Sequence, residues 1–185
     1  GALAIYPKNV TLLHHKGVAL KGDKQYQKAL DIFKDVNVTY AGFIKNQIAL
    51  AEMAENEGLI TQSFLAYTHA MLYAIGTNYS IGILDDMNKL AAKKLEENPN
   101  NIVMSEKGDQ FSEIETLLKS KVALSGKYKI ETNIDYPVVR QLHLIMSQLD
   151  KYEPTDGYFD TYYVPFYKEL YKEGYFPRLI DLLFL

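Results

Sequence analysis

The chain has 185 residues, 48% of them hydrophobic, with a formal net charge of −3 and no cysteine. That describes one domain, or one repeat array with a differently built end, with enough apolar side chain to bury a core. It excludes disulfides, thiol nucleophiles and zinc thiolate sites, offers nucleic acid no basic face, and contains no apolar run approaching the roughly 18 residues of a membrane span.

Taken in chain order, the pattern is helical almost throughout. Asn9 or Thr11 caps a first helix that runs to about Lys21, with Gly22-Asp23 as the turn. The second covers Tyr26 to Asp35. Phe43 to Glu57 and Leu59 to Ile75 form the next two, separated by Gly58. Asn78 or Ser80 opens a fifth through Glu97, with Leu84, Met87, Leu90, Ala91 and Leu95 on one side, and Asn98-Pro99 stops it. After a loop, Asp109 or Ser112 leads a helix to Val122 or Leu124, and Lys127 to Asn133 reads as a polar linker. Asp135 is the expected cap of a helix with Pro137 in its first turn, running to about Tyr152 and carrying the stripe Val138, Leu142, Ile145, Met146 and Leu149. Asp156 is the expected cap of a Tyr-rich stretch from Tyr158 to Tyr175, interrupted by Pro165, whose stripe is Phe159, Tyr163, Phe166 and Leu170. A short helix from Arg178 to Phe184 ends the chain, and its run Leu182-Leu183-Phe184-Leu185 is apolar enough to dock on the core.

Two of these stretches superpose at an offset of 34 residues: Leu13, Gly17, Ala29, Phe33 and Val36 against Gln47, Ala51, Ser63, Tyr67 and Ala70. A fixed period in this range marks stacked helical pairs, because one pair cannot bury its apolar face alone. Small residues such as Gly17 and Ala51 let helices approach, and Phe33, Phe64 and Tyr67 fill the remaining space. Over residues 7–77 the pattern resembles the tetratricopeptide (TPR) repeat: a large apolar residue, a small one four later, Ala-x-x-x-Phe, and a Pro near the repeat end, as at Pro7. Lys16 and Ser63 depart from it, and Gln47 is weak at its large position.

That resemblance implies an all-α, TPR-like right-handed superhelix of antiparallel helix pairs over residues 1–101. The pairs would be 10–43 and 44–77, followed by a degenerate helix 78–98, with a further helical region 102–185 packed on them. It also implies that the first helices of the pairs line a concave groove carrying Thr11, His14, Val18, Lys21, Lys45, Ile48, Glu52, Glu55, Tyr79 and Asp86. This mixture suits a peptide or protein segment. Glu52 and Glu55 would repel a C-terminal carboxylate and favour a segment bearing Lys or Arg. In the second half, Val139-Arg140-Gln141 and the run from Asp156 to Tyr167 resemble the C-terminal region of uncharacterised TPR-containing bacterial envelope proteins, which implies export to the periplasm or envelope. No leader is visible, and Gly1 opening on mature-looking sequence reads as a trimmed chain.

Chemistry-bearing motifs are scarce, so the expectation is a protein that is not an enzyme and needs no cofactor or metal. His14 and His15 are neighbours about 100° apart around a helix and cannot share a metal. His69 and His143 are isolated, and no Gly-x-Ser-x-Gly or phosphate loop occurs. Asp156 and Asp160 lie one turn apart, where capping is the simpler use than hydrolysis. Tyr162, Tyr167 and Tyr171 fall outside the expected core stripe and are the aromatic contact candidates. They support the alternative function, binding of a small molecule or glycan.

Overall fold

The computed structural model describes residues 2–92, 100–105, 108, 109 and 111–185. These residues form eleven α-helices and no strand: α1 Ala2–Ile5, α2 Val10–Gly22, α3 Tyr26–Thr39, α4 Ile44–Asn56, α5 Ile60–Ala74, α6 Tyr79–Ala92, α7 Ser112–Lys119, α8 Pro137–Leu149, α9 Tyr158–Tyr162, α10 Val164–Lys172 and α11 Phe176–Phe184. A 3-10 turn, Val122–Leu124, follows α7. Consecutive helices pack as neighbours: α2 on α3, α3 on α4, α4 on α5 and α5 on α6. Among the described residues, no helix is long and apolar enough to cross a membrane.

The first five long helices follow local signals. Of the two expected caps, Asn9 acts: its side chain accepts the Leu12 N–H at 3.0 Å. Gly58 sits at φ +74°, and the Leu59 N–H returns to the Ala54 carbonyl at 2.9 Å, closing α4 in the left-handed turn that glycine permits. The starts Val10 and Ile44 are 34 residues apart, as are Tyr26 and Ile60. Burial follows the same register. Ala29, Phe33 and Val36 are fully buried in one pair, and Ser63, Tyr67 and Ala70 in the next. Gly17 lies so close to Phe33 that a Cβ there would stand 2.5 Å from the ring edge. Ser63 is satisfied locally, its hydroxyl donating to the Ala51 carbonyl at 3.0 Å.

The second half joins this array through buried polar groups as well as apolar ones. Gln47, weak by its sequence position, is fully buried. Its amide donates to Asn37 Oδ1 and to the Ala41 carbonyl, and its Oε1 accepts the Tyr163 hydroxyl at 2.6 Å. Asn37 donates onward to the hydroxyl oxygens of Tyr158 and Tyr163. Glu115 on α7 accepts the Thr61 N–H at 2.5 Å and so caps α5 from outside. Gln141 on α8 donates to the Ala91 carbonyl of α6 at 3.1 Å.

Several expectations are corrected. α3 runs past Asp35 to Thr39, whose hydroxyl donates back to the Asp35 carbonyl. α6 is described to Ala92; its expected continuation to Glu97, with Leu95 and the stop at Asn98-Pro99, lies outside the described residues. α7 ends at Lys119, and the left-handed Lys121 (φ 57°) separates it from the 3-10 turn. Asp135 does not cap α8, which Tyr136 precedes; its carboxylate instead pairs with the Arg140 guanidinium. Gly157, not Asp156, stands at the cap of α9. Phe166 is 45% exposed and Tyr167 fully buried. The backbone breaks at Tyr163, φ −118°, between α9 and α10, so the buried stripe steps from Phe159 and Tyr163 to Tyr167 rather than to Phe166. At the C-terminus Leu183 docks, but Leu182 is 56% and Leu185 87% exposed, because α11 turns its other face to the core.

Three histidines are held away from solvent. Burial lowers the pKa of His14, His69 and His143 below the ordinary 6.5. For His14, nearby Asn46 opposes the shift while the charges of His15 and Lys45 add to it. A depressed base is stabilising above its unfolded pKa, and that stability is lost as pH falls through the folded value. Asp109 and Glu115 are raised, chiefly by burial; they act oppositely, contributing at low pH and losing the contribution as pH rises through their folded values. The histidines therefore make the urea midpoint, followed by circular dichroism, fall between about pH 7.5 and pH 5.5. Changing His69, whose Nδ1 is buried without a partner, to leucine should flatten that fall. A midpoint constant across the interval would contradict this account.

Candidate functional site

The first helices of the pairs, α2 and α4, together with α6, present a shared face. The acidic part of it is centred on Tyr67, whose ring is buried beneath. Its hydroxyl donates to Glu55 at 3.4 Å. Burial pushes the Tyr67 phenol well above its usual range, and the charges of Glu55, Asp86 and Glu52 push the same way. Glu55 thus contacts the phenol, and the charges of Asp86 and Glu52 lie near enough to act on it. Lys21 of α2 reaches into this group, its ammonium 2.6 Å from Glu52 Oε2, with both side chains partly exposed. Lys45 of α4 stands 6.0 Å from the centre of the Tyr79 ring, within reach of a cation–π contact.

Of the expected groove residues, the structure brings Lys21, Glu52, Glu55 and Asp86 near Tyr67, and Lys45 to Tyr79. Thr11, Val18 and Lys45 are exposed, and Lys21, Ile48, Glu52, Glu55 and Asp86 are half-buried. Tyr79 is 39% exposed. His14 is the exception. It is buried at 5% exposure, its ring edge-on to Phe43 at 5.2 Å and tilted against Phe33 at 5.6 Å. It packs inward rather than facing solvent, since the turn that brings Gly17 against Phe33 carries His14 inward too.

The three aromatic candidates do not act together. Tyr167 is fully buried and donates to the Leu65 carbonyl at 3.2 Å, which removes it as a contact residue. Tyr162 is 43% exposed and lies against Tyr158 at 5.0 Å. Tyr171 sits elsewhere, beside His143. Asp156 and Asp160 are not a facing pair either. Asp160 is 1% exposed and accepts from the Tyr152 hydroxyl and from the Thr155 N–H and hydroxyl, which occupy its oxygens. Among the described residues, no group of three or more His, Asp or Glu is placed to hold a metal.

Sequence reading missed the surroundings of His143. Tyr128, assigned to a linker, brings its hydroxyl to His143 Nδ1 at 2.7 Å. No local pattern announces this, because the partners come from three separate segments.

The described residues are thus an all-α fold of adjacent helix pairs, with carboxylates of α4 and α6 near Tyr67. Comparison with protein-family models, curated proteins and solved structures found no match to this chain.

Proposed function

We propose that the chain is a TPR-like scaffold, without catalytic activity of its own, that binds an extended protein segment along the face of α2, α4 and α6. The observation that carries this reading is the proximity of Glu52, Glu55 and Asp86 to Tyr67, on helices that also carry the half-buried Ile48 and exposed Val18. Matching helix starts at a period of 34 residues support the repeat architecture behind it. An acidic centre with apolar flanks selects a segment bearing Lys or Arg beside a hydrophobic residue. Lys21 pairs with Glu52 and Lys89 with Asp86, and Lys45 lies toward Tyr79; a basic side chain exchanges with these lysines at the carboxylates, whereas a terminal carboxylate is repelled.

The test uses an array of extended peptides of paired design, basic-apolar and acidic-apolar, probed with the full chain. Binding is expected to the basic set, weakening as salt rises. Reversing Glu52 and Glu55 to Lys together should reduce affinity about tenfold or more, since two attractions become repulsions. Equal binding by the reversed variant would remove this face from the function.

A further inference from the structure

On the opposite half of the molecule, α8, α10 and α11 meet the segment before α8 at a cleft of about 480 Å³. Its lining includes Lys129, Glu131, His143, Tyr171, Gly174 and Phe176. Volumes of about 300–1,000 Å³ are those of small-molecule sites. Three features of this cleft narrow the ligand.

The first is an ordered chain of donors. Burial lowers the His143 pKa, so the ring is neutral near pH 7, with one nitrogen donating and the other accepting. The Tyr128 hydroxyl lies 2.7 Å from Nδ1, and the Tyr171 hydroxyl 3.4 Å from Nε2. In one of the two tautomers the Tyr128 O–H donates to Nδ1, and this is the tautomer the site uses. Nε2 then carries the hydrogen and points it at the Tyr171 oxygen. The Tyr171 O–H is left to donate to something else, and Tyr171 lines the cleft. The imidazole packs edge-on against Phe176 at 5.1 Å and Tyr171 at 5.7 Å.

The second feature is the rim. Lys129 and Glu131 are both exposed and stand two residues apart on one segment. A charged ligand attracted by one is repelled by the other. A hydroxyl, which donates and accepts at once, uses both. The third is access: Tyr171 is only partly buried where it lines the cleft, and Gly174, at φ +73° in the turn that ends α10, leaves open space beside it. Such an aromatic ring offers an apolar face with a polar tip.

We propose that this cleft binds a neutral saccharide unit, one or two rings long, laid against Tyr171 and hydrogen-bonded by its hydroxyl and by Lys129 and Glu131. The site is separate from the acidic face of α2, α4 and α6 and stands whether or not that face binds peptide.

The experiment is an NMR titration of the isotope-labelled full chain with maltose, cellobiose, lactose and diacetylchitobiose, each to about 20 mM, the range of weak single-site binding. Inorganic phosphate is the charged comparison. At least one disaccharide is expected to shift the His143 imidazole and the amides of Lys129, Glu131 and Gly174 saturably. Tyr171→Phe keeps the ring and removes the hydroxyl, which also contacts His143, so affinity is read from the Lys129, Glu131 and Gly174 amides, and it should weaken about tenfold. Glu131→Gln, at an exposed position, should weaken it less. Absence of saturable shifts with all four sugars overturns the proposal. So do shifts caused by phosphate alone, which would make the cleft an anion site, and so does sugar binding indifferent to Tyr171→Phe.

Discussion

Replacing Gly17 by valine is expected to lower the stability of the protein by about 3 kcal/mol or more. Two effects compete at this position. Glycine within a helix costs about 1 kcal/mol relative to alanine, so an added side chain brings a propensity gain. Against that, a Cβ would stand 2.5 Å from Phe33 Cε1 and 2.9 Å from Cδ1. Phe33 is fully buried and cannot swing aside, so the helices must separate, and overpacking of this kind costs about 1–3 kcal/mol or more. Alanine should therefore range from nearly neutral to about 2 kcal/mol destabilising. Valine adds two methyl groups in the same direction, and steric cost wins. Urea denaturation of the three proteins checks the order Gly, Ala, Val. Pairing Gly17→Ala with Phe33→Leu should recover part of the loss. An alanine variant more stable than the parent would show that α2 and α3 do not approach as described.

A loss of about 3 kcal/mol is also expected for Gln47→Ala. The side chain is fully buried and holds four groups together: Asn37 Oδ1, the Ala41 carbonyl, the Tyr163 hydroxyl and, through Asn37, the Tyr158 hydroxyl. Truncation leaves Asn37 Oδ1 and the Tyr163 O–H without partners in a site water does not reach, and unpaired buried groups of this kind cost about 1–3 kcal/mol each. Tyr163→Phe removes a single hydroxyl and should cost about 1–2 kcal/mol. Because the two residues share one network, the double variant should lose less than the sum. Denaturation of the three variants measures that coupling. Hydrogen exchange should show α9 and α10 opening before α3 and α4 in each, since this network links them. Strict additivity, or exchange unchanged in α9 and α10, would mean that the network does not join the two halves.

How much was legible in the sequence follows from these residues. Gly17, Ala29 and Phe33 could be read because helical period and side-chain size are local properties, and the same period returned at Ala51, Ser63 and Tyr67. The stripe of α8 was equally plain, and Val138, Leu142, Ile145, Met146 and Leu149 are all buried. Gln47 was misjudged because its role depends on Tyr163, a residue 116 positions away. The α9–α10 stripe failed at Phe166 because a periodic pattern assumes an unbroken helix, and the break at Tyr163 moves every later residue to a new face. Asp135 and Asp156 were assigned to caps by residue type, yet a carboxylate near a helix start also has other partners. Arg140 captured Asp135.

The same division holds for the sites. That Glu52 and Glu55 share one helix was readable, and the 34-residue offset puts Lys21 and Asp86 in register with them. The cleft at His143 was not readable, since Tyr128, His143 and Tyr171 lie on three segments that only folding brings together. By itself, then, the sequence determined the helices, their pairing period and the small residues at which they cross, all of which depend on neighbours within a few turns. Tertiary structure alone decided which polar side chains are buried, how the Tyr-rich half joins the array, and where a second cleft opens. Burial and hydrogen-bond satisfaction are settled between distant residues at once, and no local pattern records them.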